Sequence, residues 1–418
     1  MAMLRLGMIG FDWYPYNTRD IRFVRAAVDA GYVVDVICLR RPHEKGYEVD
    51  NGVSIYRIPM DRRYGLPLPI TILYWCWFLL LAGATLTWLH LKHAYDLIHV
   101  NNMPDFLVFS ALLSKLLGAK IILDVQDVSP ELMAVKARGP LRRLVTLLAS
   151  WQERISTAFA DHVITVGWPF EQLLLQRGVS EEKLTIILNS ADTTFFPTER
   201  RKLSFSAVSE RGRPFLLMYH GTLAKRNRLD VAIRALALAR RVIPQLQLDI
   251  QGQGEELPAL KRLATELGVS EHTVFSDPCP PEKIVDFVMH GDIGIIPYPC
   301  DGFMELVLPT KAYEYALMCR PIIASNTPAI SSMFRPESII LCEPSNPESF
   351  AEAIIDLYYH PEKRERMVTH AAEDYHPYRW ELMSLRYQHL LASLRCKPVQ
   401  EQPSIVSGDA FIEHIERN

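Results

Sequence analysis

Cysteine pairing is missing from this chain as a pattern. Its seven cysteines, Cys38, Cys76, Cys279, Cys300, Cys319, Cys342 and Cys396, are scattered, and no C-x-x-C occurs. An odd, scattered set argues against a disulfide framework and points to a reduced, cytosolic compartment. An excess of charge is missing as well. Forty-five Lys and Arg against 48 Asp and Glu leave a net −3, which argues against a general nucleic-acid binder. The opening "MAMLRLGMIGF" lacks the charged, apolar and small-residue layout of a secretory signal. "MIGFDWYPYNTRD" has no G-x-G-x-x-G at the first strand, which disfavours a dinucleotide-dependent oxidoreductase.

What is present is an alternation of short apolar runs with helical patterns. "LRLGMIGF" (4–11), "VVDVICL" (33–39), "DLIHVN" (96–101), "AKIILDVQD" (119–127), "HVITVG" (162–167) and "TIILNS" (185–190) read as strands, with helices between most of them. The alternation restarts with "FLLMYHG" (215–221), "LQLDIQGQG" (246–254), "HTVFSD" (272–277), "DIGIIPY" (292–298), "RPIIAS" (320–325) and "SIILCE" (338–343). Near-continuous Val, Ile and Leu runs separated by helices indicate parallel sheets covered on both faces. The expectation is α/β, with two Rossmann-like doubly wound domains, 1–196 and 215–376, facing a cleft. A polar linker over 197–214 joins them, a helix follows over 377–395, and 396–418 reads as a tail. Ligands of such sheets bind beyond the carboxyl ends of the strands.

One stretch breaks the pattern. "ITILYWCWFLLLAGATLTWLHL" (70–91) contains no Asp, Glu, Lys or Arg and is long enough to span a bilayer core. Trp75, Trp77 and Trp88 stand near its ends, Arg62 and Arg63 precede it, and Lys92 follows. Strands before and after it look like parts of one sheet, so a true crossing would separate strands that must pair. Two readings survive: a helix buried in the first domain, or a helix docked in a membrane surface. Lys136, Arg138, Arg142 and Arg143 in "KARGPLRRLVTLLASW" (136–151) could meet anionic head groups there.

The segment "DGFMELVLPTKAYEYALMCRPIIAS" (301–325) carries the most chemistry. Lys311 and Glu314 lie three apart and share a helical face, just after a loop. A helix N-terminus suits an anion, a Lys adds a point charge for phosphate, and a Glu accepts hydrogen bonds from sugar hydroxyls. Pro309 and Thr310 would form the helix start. Taken alone, a Lys/Glu pair at this spacing is more often a surface ion pair.

"LPTKAYEYALMCRPIIAS" resembles the nucleotide-sugar segment of glycosyltransferase family 4. Further resemblances follow in the family's order: "YHGTLAKRNRLDVAIRAL", "LQLDIQGQGEELPALKRLA", "GVSEEKLTIILNSADTTFF", "YDLIHVNNMPD" and "KIILDVQDVSPE". The family has the GT-B fold and transfers a sugar from a nucleotide-diphosphate sugar with retention, generally without a bound metal or other cofactor. The resemblance implies that Glu314 holds the ribose. Arg226, in the loop after Gly221, and Lys311 would neutralise the departing diphosphate. Gly252 and Gly254 would let the backbone approach the nucleotide. Asp127 and Glu131 would sit at the cleft, with helix N-terminal capping as the plainer reading.

The chain also departs from the family pattern. The family's first glutamate falls on Leu306, and Glu305 lies one step before it. The usual Arg and Lys after the first donor strand are Thr222 and Asn227, and positions often held by His are Asn101 and Gln126. His99 is expected to point the other way, and His220 to be a packed strand-end residue. The reading is a retaining glycosyltransferase acting on a lipid-linked or polysaccharide-precursor acceptor at the inner face of the cell membrane. The alternatives are a catalytically silent nucleotide-sugar binder, or a sugar-nucleotide epimerase or hydrolase on the same fold.

Overall fold

The computed structural model describes residues 3–63, 66–136, 142–191, 196–197 and 214–395. Most of the expected 197–214 linker, the 396–418 tail and Arg138 lie outside the described residues. The chain divides into two compact units, residues 1–188 with 381–418, and residues 189–380.

The first unit is built on eight strands: β1 (Leu4–Trp13), β2 (Tyr32–Leu39), β3 (Tyr47–Asp50), β4 (Val53–Ile58), β5 (Leu97–Asn101), β6 (Lys120–Val125), β7 (His162–Thr165) and β8 (Leu184–Ile186). Their order is β3-β4-β2-β1-β5-β6-β7-β8, and every pairing is parallel except β3 with β4. The antiparallel β3–β4 hairpin turns at Asn51 and Gly52, both at positive φ. β1, β2, β5, β6 and β7 carry buried apolar residues on both faces, as a covered parallel sheet requires.

The second unit has six parallel strands: β9 (Phe215–His220), β10 (Leu246–Gln251), β11 (Thr273–Ser276), β12 (Ile293–Ile296), β13 (Ile322–Ser325) and β14 (Ile340–Cys342). They run in the order β11-β10-β9-β12-β13-β14. The order reverses around β9, which puts the carboxyl ends of β9 and β12 at a topological switch point.

The last described helix, Trp380–Arg395, packs into the first unit. The Tyr387 hydroxyl meets His99 Nδ1 at 2.9 Å, the Tyr32 hydroxyl donates to the Leu391 carbonyl at 3.3 Å, and Arg386 donates to the Ile186 carbonyl at 3.2 Å. The chain changes unit near residue 188, ahead of the expected boundary at 196. Ala191 N already donates to the Tyr375 hydroxyl of the second unit at 2.9 Å.

The apolar run forms one 26-residue helix, Leu68–His93, about 39 Å long at the usual helical rise. It connects β4 to β5 of the same sheet, so its two flanks lie within one unit. Phe78, Ala82, Leu86, Leu89 and His90 form its buried stripe. Gly83 lies close to the Ser110 backbone, letting the helix pack on the 3-10 segment Asp105–Ala111. The opposite stripe, with Leu73, Trp77, Leu80, Trp88 and Leu91, is exposed, Leu73 at 70% and Trp77 at 55%. Of the two readings, a helix buried outright gives way to one held by a narrow stripe, with an apolar outer face.

Candidate active site

In the second unit, β9 delivers Tyr219 and His220 and then turns at Gly221, whose φ is +122°. The helix Thr310–Leu317 starts behind Pro309, which makes no side-chain cap, and Ala312 N donates to the Pro309 carbonyl at 3.0 Å. Lys311 is buried, at 7% exposure. Its Nζ donates to the Tyr298 hydroxyl at 2.8 Å and lies 4.8 Å from the Tyr219 ring centroid and 5.0 Å from that of Tyr298. Burial pulls its pKa down, but the Tyr219 and Tyr298 oxygens, the Tyr298 hydrogen bond and the Glu314 carboxylate outweigh this and hold it above its ordinary value. The site therefore keeps a fixed positive charge next to Gly221, where an added Cβ would lie 3.9 Å from Nζ.

Glu314 lies one turn on. His220 Nε2 is 2.9 Å from its Oε2, although neither atom has an aligned hydrogen bond among the described residues, so the pair is a close polar contact. The His220 ring stands edge-on to Tyr315 at 5.4 Å. His220 is thus more than a packed strand end. Strand and helix are 94 residues apart in the chain, so no local pattern announced this pairing.

The remaining second-unit residues serve differently. Thr222 offers its carbonyl to the Tyr219 hydroxyl at 3.1 Å and to Asn227 Nδ2 at 2.7 Å. Asn227 is buried and shapes the loop from within. Arg226, on the 3-10 turn Lys225–Asn227, is exposed and has no ion pair among the described residues. Glu305 is half-buried on the turn Met304–Leu306 and accepts from Cys300 Sγ at 3.2 Å. Gly252 and Gly254 lie against the loop that follows β9. A Cβ on Gly252 would lie 1.9 Å from the Gly221 carbonyl oxygen, and one on Gly254 2.3 Å from that of Leu223. Their lack of a side chain admits the neighbouring β9 loop. Gly221 N and Leu223 N donate across to Gln251 and Gln253, both at 2.9 Å.

In the first unit the polar residues at the strand ends are bound to one another. Arg19 grips Asp124 through two bonds of 2.8 and 2.7 Å and donates to the Ile187 carbonyl at 3.0 Å. Arg19 and its hydrogen bonds hold the Asp124 carboxyl well below the usual range against the upward pull of burial. Gln126 donates to Asp124 at 2.9 Å. Asn101 is buried and donates to Asp20 at 2.7 Å, and its own Oδ1 has no hydrogen-bond partner among the described residues. Burial, then the nearby Asp12 and Asp124, pushes Asp20 up to about 8. His99 faces the same side as Asn101, since residues two apart in a strand share a face. Its ring lies 4.9 Å from Phe23, on the helix that also carries Asp20. That corrects the expectation that it points away.

Asp127 is half-buried, and its carbonyl accepts from Asn102 at 2.7 Å. Glu131, in the first turn of the helix Ser129–Lys136, is held by Arg177, which also bonds Glu153 at 2.7 Å. Its carboxylate therefore belongs to a structural ion-pair cluster. Asp20 was not singled out, though "TRDIRF" places Arg19, Asp20 and Arg22 on the buried face of a helix, an available signal.

Two family models match this chain. Residues 21–190 match a glycosyl transferase 4-like domain, and residues 199–374 match glycosyl transferases group 1. The chain belongs to glycosyltransferase family 4. Within the family, it is 24% identical over 242 residues to a D-inositol 3-phosphate glycosyltransferase of Thermomonospora curvata, covering 54% of this chain and 55% of that protein. It is 38% identical over 78 residues to a GDP-mannose-dependent alpha-(1-6)-phosphatidylinositol monomannoside mannosyltransferase of Mycolicibacterium smegmatis, covering 19% and 20%. The matched part thus spans about half the length of the first of these family 4 relatives and less of the second. Among solved structures, sucrose-phosphate synthase from Thermosynechococcus elongatus superposes with a TM-score of 0.71 at 19% identity, covering 94% of this chain and 99% of that one. Anabaena HepE in complex with UDP-glucose gives 0.66 at 14% identity, covering 93% and 100%. These likenesses establish the GT-B fold of this family 4 chain.

Proposed function

We propose that the protein is a retaining glycosyltransferase that moves a sugar from a nucleotide-diphosphate donor to a lipid-linked or polysaccharide-precursor acceptor at the inner face of the cell membrane. The observation that carries the donor half is the buried, charged Lys311 beside Glu314 at the β9–β12 switch point. In the transfer, the bond from the anomeric carbon to the diphosphate oxygen breaks and its electron pair leaves with the diphosphate. The acceptor oxygen bonds to that carbon from the same face, and its proton passes to the leaving group. Charge grows on the diphosphate, so a fixed ammonium aimed there lowers the barrier. Lys311 and the exposed Arg226 take that load without a metal in this reading, and Glu314 takes the ribose hydroxyls.

Membrane docking is supported by a broad apolar surface. The helix Leu68–His93 packs on the segment Asp105–Ala111 and the helix Leu112–Leu116, and Asp105–Ala111 packs in turn on the helix Arg142–Phe159. All three helices expose apolar side chains: Trp77 and Trp88, then Leu113 and Leu116, then Leu147, Leu148 and Trp151. Clustered apolar side chains exposed on mutually packed helices are a feature of interaction sites. Arg142, Arg143 and Lys92 are exposed on the same helices and would complement anionic lipid. The family 4 relatives named above act on inositol-based acceptors, one of them a phospholipid, in keeping with an amphiphilic acceptor here.

The test offers the purified protein a panel of nucleotide sugars, with and without membrane lipid extract, and measures nucleotide release and sugar transfer. Transfer supports the reading. Tight donor binding without turnover under every acceptor would favour the silent binder, which the buried Asn101–Asp20 pair at a position often held by His makes worth separating. For docking, Trp77, Leu80 and Trp88 are changed to polar residues and vesicle flotation is compared. Phe78 is left in place because it is core.

A further inference from the structure

We infer that Arg41 is a phosphate-binding residue for the acceptor. Its guanidinium is presented between Trp13 and Tyr16 at the carboxyl ends of β1, β2 and β4. The inference rests on the proposed transfer to an amphiphilic acceptor and narrows that acceptor to a phosphoester.

The guanidinium carbon lies 4.5 Å from the Trp13 ring centroid and 3.6 Å from that of Tyr16. Both rings come from the end of β1, and Arg41 follows β2 directly. Every acid nearby already has partners. Glu44 accepts from the Arg41 backbone N at 2.9 Å and the Tyr16 hydroxyl at 3.2 Å, and faces Arg57 at 3.3 Å. Asp61 accepts from Trp13 Nε1 at 3.1 Å and Arg62 N at 2.8 Å, and Asp12 pairs with Arg62 at 3.0 Å. Among the described residues the Arg41 guanidinium itself has no hydrogen bond and no ion pair. It is a positive charge held against two rings, with no ion pair of its own, at the end of the sheet where ligands bind.

The two rings lie within stacking distance of the guanidinium, and among the described residues its N–H groups make no hydrogen bond. A guanidinium N–H edge matches a phosphate in bidentate fashion, and holding it in advance reduces the ordering cost of binding. The site is tied to the apolar helix. The Tyr74 hydroxyl donates to the Asp61 carbonyl at 2.7 Å, Phe11 touches Tyr74 and Phe78 at 6.2 and 5.1 Å between ring centroids, and the exposed Arg63 lies 5.8 Å from the Tyr74 ring. A lipid tail on the outer face of that helix would bring its phosphate to this end.

The test compares wild type, Arg41→Gln, Arg41→Lys and the charge-matched control Arg262→Gln, a change on the second unit's exposed surface. Flotation uses phosphatidylcholine vesicles with and without phosphatidylinositol, and calorimetry uses soluble inositol 1-phosphate. Wild type and Arg262→Gln are expected to prefer the phosphatidylinositol vesicles or to bind the soluble phosphate. Arg41→Gln should lose about tenfold in that response, and Arg41→Lys most of it, because an ammonium lacks the planar fork. A loss in flotation alone assigns a lipid phosphate, and a loss in calorimetry alone assigns a free one. If Arg41→Gln misfolds, Tyr16→Leu, which removes one ring, should weaken the same response. Unchanged binding in well-folded Arg41 variants, or wild type with no response to either probe, overturns the site and leaves an intramolecular stack. Sugar transfer is assayed separately. Transfer that persists unaltered in Arg41→Gln sinks the site and spares the enzyme, while phosphate binding without transfer to any acceptor sinks the enzyme and spares the site.

Discussion

The strand ends of the two units carry polar residues to opposite effect. At the end of β9, Lys311 and Glu314 meet Gly221 and His220 on a short helix whose first turn is uncapped, and Arg226 stands exposed nearby. At the ends of β5 and β6, Asn101, Asp124, Gln126 and Glu131 are taken up by Asp20, Arg19 and Arg177. The second unit keeps its buried ammonium against tyrosine oxygens and rings, whereas the first pairs its charges with opposite ones to fix its own loops. A polar residue at a strand end is therefore informative only once its partners are known.

Substitutions can break this contrast. The largest effect is expected at Lys311→Met, which should lower kcat/KM for transfer about a hundredfold or more while the protein stays folded, measured with the best donor of the panel. Retained turnover would show that Lys311 does not face the leaving group. Next is Asp20→Asn, read in stability. Because the folded pKa of about 8 lies above the unfolded value of 3.8, Asp20 favours the folded state at low pH, and this is lost as pH rises from 4 through 8. The variant should therefore gain on wild type by a few kcal/mol between pH 5 and pH 8 in denaturant unfolding, on the order the linkage relation gives. A constant difference would show that Asp20 is ionised in the folded protein. Arg177→Met should lower stability by about 2 kcal/mol, because it strands Glu131 and the buried Glu153, yet leave kcat in the cold nearly intact. Burial pushes Glu153 up to about 7 even with Arg177 present, so the loss should grow with pH. The smallest effect is expected at Glu131→Gln, which should change acceptor KM less than about twofold. A larger change would place this carboxylate on substrate and erase the contrast.

The donor-end helix was legible because Lys311 and Glu314 sit one turn apart, and one turn is a distance that sequence encodes directly. The glycines were legible as special, and the chain contact that requires them was not. Close approach of a backbone predicts a glycine, and the sequence does not say whether ligand or chain does the approaching. Trp13, Tyr16 and Arg41 went unnoticed because the rings and the guanidinium follow different strands. His99 was misread through the strand period itself, which puts residues two apart on one face.

The sequence alone determined the strand–helix alternation, the parallel cores of the two sheets, the i, i+3 pair at 311 and 314, and an apolar helix too uncharged to be an ordinary surface element, but not the antiparallel β3–β4 edge. Each is a property of neighbours within a few residues, where periodicity and spacing act. Tertiary structure alone decided that Arg19 pairs with Asp124 across 105 positions, that the helix Trp380–Arg395 returns to the first unit, and which stripe of the apolar helix meets the sheet. Burial without a partner is costly for a charge, so partners are found wherever the packed chain supplies them, at sequence separations that no local pattern records.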